Sequence, residues 1–380
     1  MQVAFAGTEM APLDPVRGAL EGVVVRWALE LSEMGGAGRV DLVSFGPVPG
    51  EVARSVSGKV TEVGSATGMR SCLAAIETDI VVLQNRPLWG RWVRPGAAQA
   101  LHLFHNFSDA WGCDSEADQA LSREILRCQT SAAVSRALAG HVDLHRELDG
   151  VGCLVVPPSI DPVFLETEYR PDDSTVLVPG RLMRKKGVEV ALALAALPGC
   201  RHLRFVFVDN ISPWQVPTAE HLELRALVED AGGNVELAKA RRPGAEMAEL
   251  YSRARVVLCP SVVPEGLGLV ALEAQAVGCP LVTSGLGGLA EVTFPPNECV
   301  DPADLPALGA ALLSAASRAG ESQPGSLPFA LAPYTPRASA EALMAAICSA
   351  VDPGSRPAVH SPARSAISGI GGAAFPATRP

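Results

Sequence analysis

Short apolar runs and longer amphipathic stretches take turns along most of this chain. In the first half, "QVAFAG" (2–7), "VDLVSF" (40–45), "DIVVLQ" (79–84), "ALHLFH" (100–105), "TSAAVS" (130–135) and "GCLVVP" (152–157) fit buried strands. Between several of them apolar positions recur at helical spacing, most clearly over 18–34 and 115–128. Strands alternating with helices predict a parallel sheet covered on both faces. Proline-rich "VVPPSIDPVF" interrupts the pattern, and "LETEYRPDDS" fits an exposed linker. The alternation then resumes, with strands expected at 175–180, 203–208, 234–237, 255–260 and 279–284 and helices at 186–197, 218–231, 244–253 and 268–278. The pattern predicts two doubly wound α/β domains, 1–165 and 174–335, followed by a helix at 336–351. Residues 352–380 are rich in Pro, Ser, Gly and Ala and poor in large apolar groups, so a disordered tail is expected there. Ligands of such sheets bind beyond the carboxyl ends of the strands, which places the expected site in the cleft between the two domains.

Composition narrows the function classes. A length of 380 residues with 48% apolar content suits two cores. A formal charge of −10 disfavours duplex DNA or an anionic membrane surface as the main partner. No apolar run approaches the roughly 18–20 residues of a membrane span. Met1 leads straight into "QVAFAG" without a basic leader, and the nine cysteines are scattered with no metal-ligand spacing. A reducing, cytoplasmic location is therefore expected.

Candidate chemistry concentrates in "CPSVVPEGLGLVALEA" (259–274). A strand leads into a loop carrying Glu265, and Gly266 and Gly268 stand where the next helix begins. Free backbone N–H groups and a positive dipole end favour an anion at that point. Glu273 lies further along the helix, on the order of 10 Å from Glu265 at ~1.5 Å rise per residue. That is too far for the pair of carboxylates, about 5–5.5 Å apart, with which a retaining glycosidase attacks one bond. Two acids at that distance suit the two ends of an elongated ligand, with hydroxyls at each end and phosphate between, such as a nucleotide-sugar. In "VLVPGRLMRKKGVEVAL" (176–192), Arg181 and Lys186 stand at the mouth of the second domain's first strand-to-helix loop, where two cations suit a diphosphate.

With "GLGGLAEV" (285–292) added, these segments resemble the donor-binding domain of retaining glycosyltransferases of the GT-B fold, family 4; Glu265 and Glu273 match its E-x7-E signature. "DPVRGALEGVV" (14–24), "NRPLWGRW" (85–92), "LFHNF" (103–107) and "VVPPSIDPVF" (155–164) are similar to its first glycine loop, acceptor-side loops and interdomain turn. The resemblance implies two Rossmann-like domains facing a cleft. It implies that Glu265 and the backbone of Gly266, Leu267 and Gly268 hold the donor sugar and phosphate, and that Glu273 binds the ribose. Arg181 and Lys186 would hold the diphosphate, Gly18 would approach it from the other domain, and His105 would stand near the reacting centre. No metal or other cofactor is implied, the nucleotide-diphospho-sugar being a co-substrate. The expected activity is transfer of a sugar, with retention of anomeric configuration, to a hydroxyl of a small soluble acceptor. The acidic balance and compact N-terminal half suit a small soluble acceptor, with an aminoglycoside-type antibiotic the leading case; "DAWGCDSEAD" (109–118) reads first as an acid-rich helix start and alternatively as a rim for a cationic aminocyclitol. The alternatives are a nucleotide-sugar epimerase or disaccharide phosphorylase of the same fold, or a non-catalytic sugar-nucleotide-binding protein.

Overall fold

A computed structural model of the chain describes residues 1–7, 12–15, 18–94, 96, 98–108, 113, 115–146, 152–210, 216–320 and 327–352. The tail expected from 352 onward falls outside the described residues after Asp352, as do 109–112 and 114 of the acidic stretch.

The first domain runs β1 (Gln2–Ala6), α1 (Ala19–Met34), β2 (Arg39–Ser44), α2 (Gly50–Ser55), β3 (Val60–Glu62), α3 (Ala66–Ala75), β4 (Ile80–Gln84), β5 (Gln99–Phe104), α4 (Glu116–Cys128), β6 (Thr130–Ala133), α5 (Arg136–Arg146) and β7 (Leu154–Val155). A short helix, α6 (Pro162–Glu166), follows in the connection. The second domain continues with β8 (Thr175–Val178), α7 (Val188–Ala196), β9 (Arg204–Val208), α8 (Ala219–Ala231), β10 (Val235–Ala238), α9 (Ala245–Arg253), β11 (Val256–Cys259), α10 (Leu269–Val277), β12 (Leu281–Thr283), α11 (Leu289–Val292), β13 (Glu298–Cys299) and α12 (Leu305–Ser317). Two last helices are α13 (Leu327–Leu331) and α14 (Pro336–Val351).

The strand orders are β3-β2-β1-β4-β5-β6-β7 and β10-β9-β8-β11-β12-β13, with every pairing parallel. Each sheet starts at an inner strand, winds outward one way, then returns to wind the other. The switch falls between β1 and β4 in the first domain and between β8 and β11 in the second. Loops leaving those strands diverge and leave a crevice.

Side-chain alternation explains how both faces are covered. Val3 and Phe5 pack with Trp27 of α1, while Ala4 and Ala6 pack with Met69 and Leu73 of α3. The 3₁₀ turn Pro87–Trp92 closes the latter face: Trp89 is buried there, stacks on Trp92 at 6.0 Å and tilts against Phe45 at 5.8 Å. The Arg/Trp stretch at 86–96 therefore contributes a tryptophan to the first domain's own core.

The helix at 336–351 follows the second domain in the chain but packs on the first. Ala340, Leu343, Ala346 and Ile347 join the core formed by β1 and α1. Trp27 Nε1 donates to Ser339 Oγ at 2.6 Å, and Ser339 Oγ donates to the Pro157 carbonyl at 2.5 Å.

Differences from the sequence pattern are local. The helix expected over 186–197 is divided: a 3₁₀ turn at Arg184–Lys186 ends at Gly187, whose φ of 73° lies in the left-handed region, and α7 begins at Val188. β3 and β13, of three and two residues, were not anticipated, since neither carries an apolar run.

His102 of β5 is enclosed between the sheet and α4, its Nε2 2.5 Å from Gln129 Oε1. Burial pushes its imidazole down to about 4, against the partial counterweight of the Gln129 bond. Between that value and the ordinary 6.5, the unfolded chain binds the extra proton, so His102 removes stability as pH falls through this window. Melting temperatures measured from pH 6.5 to 4.5 should drop less steeply for His102→Gln than for the parent, the difference representing at most about 3 kcal/mol.

Candidate active site

Because β8 and β11 are neighbours, the loops that leave them, 179–187 and 260–268, share the second domain's crevice. Lys186 Nζ lies 2.8 Å from Glu265 Oε2. Ser261 donates its hydroxyl to the other oxygen of the same carboxylate. The Val262 N–H bonds to the Lys185 carbonyl at 3.0 Å. This contact requires Gly187: a β-carbon there would stand 2.0 Å from the Pro260 carbonyl oxygen. The turn after β12 grips Glu265 from the opposite side. Gly288 N donates to the Glu265 carbonyl at 2.7 Å, and Glu265 N donates to Leu286 O at 3.2 Å.

Arg181 is exposed on the first of these loops. Burial first, and then the charges of Arg181 and Lys186, push the Lys185 ammonium below its usual range. Cationic side chains therefore crowd this crevice. Arg184 is turned away into ion pairs with Glu189 and Glu223.

The first domain meets the same loop through β5, which pairs with its switch-point strand β4. The carbonyl of His105, just past β5, lies so close to Gly266 that a β-carbon at 266 would be 1.9 Å from it. His105 Nε2 is 2.6 Å from Gln84 Oε1, its backbone N donates to Asn85 Oδ1 at 2.8 Å, and its ring is 5.9 Å from that of Trp27. Burial pushes His105 down to about 3, which keeps the imidazole neutral.

Gly268 caps α10 with a φ of 103°, and Leu267 turns its side chain into the core, leaving its backbone at the loop. Glu273, within α10, lines a narrow cleft with Gly18, Gly22, Arg26, Asp161 and Gly244. Burial pushes its carboxyl up to about 7, while the hydrogen bond from Tyr251 at 3.0 Å and the charge of Arg26 act in the opposite sense. Arg26 donates to Ser159 Oγ at 3.0 Å and to Ser159 O at 2.9 Å.

The structure thus brings Lys186, Glu265, Gly266 and His105 together, and Gly18 with Glu273, on two stretches joined at Gly268–Leu269. Gly18 lines the Glu273 cleft from the first domain, beside the Glu21 carboxylate. A β-carbon there would meet Glu21 Oε2 at 2.0 Å, because that carboxylate folds back over the amino end of α1. Sequence reasoning did not single out Ser261, Arg26, Tyr251 or Gln84. For Arg26 a signal existed: residues 18, 22 and 26 recur at the i, i+4 spacing of one helix face.

Comparison with known proteins gives the fold a class. The chain superposes on sucrose-phosphate synthase from Thermosynechococcus elongatus with a TM-score of 0.68 at 20% identity, covering 90% of this chain and 97% of that one. Anabaena Alr3699/HepE in complex with UDP and glucose aligns with a TM-score of 0.67 at 15% identity over 92% of this chain and 100% of that one. The architecture is GT-B, two Rossmann-like domains facing a cleft. Residues 164–315 match the family Glycosyl transferases group 1. A D-inositol 3-phosphate glycosyltransferase of Paenarthrobacter aurescens (strain TC1) is 34% identical over 151 residues. That alignment takes in 36% of this chain, which spans about a third (35%) of that relative's length.

Replacing Gly266 by Ala tests the backbone contact. The added carbon must displace the His105 carbonyl, a substitution expected to cost about 1–3 kcal/mol in overpacking. Gly266→Ala should melt earlier and show a larger radius of gyration in solution scattering, while its circular dichroism retains the signal of both sheets.

Proposed function

We propose that the chain is a retaining glycosyltransferase that moves a sugar from a nucleotide-diphospho-sugar to a hydroxyl of a small cyclitol-like acceptor. The observation that carries this reading is the Lys186–Glu265 pair, set between the loops of β8 and β11, with the His105 carbonyl lying against the adjoining Gly266. Diphosphate oxygens would accept from Lys186 and sugar hydroxyls would donate to Glu265, replacing the bond between the two side chains group for group. Arg181 supplies a second cation, and Glu273 accepts from the ribose at the far end of the donor. Gly18 and the backbone of Gly266, Leu267 and Gly268 complete the cradle.

In this reading the sugar–phosphate bond breaks as the acceptor hydroxyl attacks from the same face. The departing phosphate oxygen takes the acceptor's proton, and Arg181 and Lys186 stabilise its charge. Neutral His105 orients the sugar, and the contact between the domains excludes water that would hydrolyse the donor. The reading assigns neutralisation of the leaving group to side chains and calls for no metal.

The cyclitol class is supported by the relative named for D-inositol 3-phosphate. That name favours a phosphorylated cyclitol over the aminoglycoside-type acceptor expected from the sequence. We place the reaction in the cytoplasm, in keeping with nine free thiols. Among the described residues no helix is long and apolar enough to cross a membrane.

A thermal-shift panel of nucleotide-sugars, followed by mass spectrometry of products formed with inositol phosphates and aminocyclitols, tests the assignment. Lys186→Ala should lower kcat/KM by about 10²–10³-fold while leaving the circular dichroism spectrum unchanged; parent-like turnover would remove Lys186 from the mechanism. Sugar exchange without an acceptor, or phosphate-dependent release of sugar phosphate, would favour an epimerase or phosphorylase instead.

Glu273 provides a pH signature. Its carboxyl titrates at about 7, and only the ionised form can accept from both ribose hydroxyls. Donor affinity measured by calorimetry should therefore strengthen by about tenfold between pH 6 and 8. Glu273→Gln should bind more weakly at pH 8 and lose most of this dependence.

A further inference from the structure

One carboxylate fastens the loop that carries Glu265 to the first domain. Glu291, in α11, keeps only 17% of its side chain exposed. Its Oε1 accepts the backbone N–H of Ala137 at 2.7 Å, and its Oε2 accepts that of Arg136 at 3.1 Å. Both amides belong to the first turn of α5, where intrahelical partners are missing and the dipole favours negative charge. Arg136 Nε stands 3.4 Å from the same carboxylate. One residue earlier, Ser135 Oγ donates to the Gly266 carbonyl at 2.5 Å and accepts from Leu138 N at 3.1 Å. On the other side, α11 follows directly on Gly288, whose amide holds the Glu265 carbonyl. Glu291, the Gly287–Gly288 turn and the Glu265–Gly266 loop form one short chain of contacts that ends on α5.

We propose that Glu291 is a positioning residue, a latch between the domains that caps α5 and so keeps the Glu265–Gly266 loop aligned with His105. The proposal rests on the glycosyl-transfer reading for its kinetic consequence. The side chains assigned to the diphosphate and ribose, Arg181, Lys186 and Glu273, all stand in the second domain, so most donor contacts persist without the latch. Alignment of the sugar against the first domain depends on it. Loss of the latch should therefore reduce turnover and spare donor affinity. A protein damaged generally would lose both.

The test uses the full chain and compares Glu291→Ala, Glu291→Gln and Glu291→Asp with the parent. Measurements are melting temperature, nucleotide-sugar affinity by calorimetry, kcat, and radius of gyration by solution scattering. Glu291→Ala should lower kcat by about 10- to 100-fold, as expected for a displacement near 1 Å, and enlarge the radius. Its donor affinity should stay within about threefold, less than 1 kcal/mol. Glu291→Gln, with one acceptor oxygen, should fall between, and Glu291→Asp should restore part of kcat. Unchanged kcat and radius in Glu291→Ala, or a loss of affinity as large as the loss of turnover, overturns the proposal. Should the parent bind no nucleotide-sugar, the glycosyl-transfer reading fails by itself. The radius then decides the latch: larger in Glu291→Ala it stands, unchanged it falls.

Discussion

The two domains meet where the carbonyl of His105 lies against Gly266, and much of the surrounding structure follows from that approach. Backbone this close admits no side chain at 266. It brings the end of β5 in one sheet to the loop after β11 in the other, so the two crevices face each other. The contact is backed by apolar packing: Phe104 and Leu138 of the first domain share a buried cluster with Leu267, Ala271 and Leu289 of the second. Burial of such side chains contributes about 1.5–3 kcal/mol each, so separating the domains at this seam is costly. The seam is firm next to the Glu265 loop and narrow beside Glu273, where charged residues line it.

Charge is distributed along the seam with a consistent logic. Lys186 is partnered by Glu265, whose second oxygen is held by Ser261, so the pair is fixed without being sealed from solvent. Among the described residues Glu273 has the Tyr251 phenol and the nearby Arg26 guanidinium to offset its burial, and its carboxyl stays poised near neutrality. Arg26 cannot turn fully toward Glu273 because Ser159 takes two of its donors. A glycine-rich crevice with one satisfied and one frustrated carboxylate is suited to a ligand that presents phosphate at its centre and hydroxyls at its ends.

Most of the fold was legible because buried parallel strands are written as apolar runs, and no partner is needed to recognise them. "DIVVLQ" and "RVVLCP" each contain the strand they predicted. The edge elements were not legible: β3 is three residues with two exposed, and its place comes from pairing with β2. In the candidate site, Lys186 and Glu265 were each legible as loop residues suited to one diphosphate-sugar; what sets them side by side is the pairing of β8 with β11. Gly187 was read as helix because a left-handed residue leaves no periodic mark, and its cause, the Pro260 carbonyl, is more than seventy positions away. Gln84, Ser135 and Ser261 escaped notice for a related reason. Each is an ordinary polar residue at a strand end, given meaning only by a neighbour from another loop.

The placement of α14 has a further implication for how the polypeptide reaches its native state. Trp27 near the amino end needs Ser339 near the carboxyl end, and the face of the first sheet that packs on α1 is finished by Leu343 and Ile347. During synthesis at about 5–20 residues per second, that face waits some tens of seconds for its cover to leave the ribosome. Expressed alone, the amino-terminal half would leave the patch that Leu343 and Ile347 cover open to solvent, a surface a chaperone could hold.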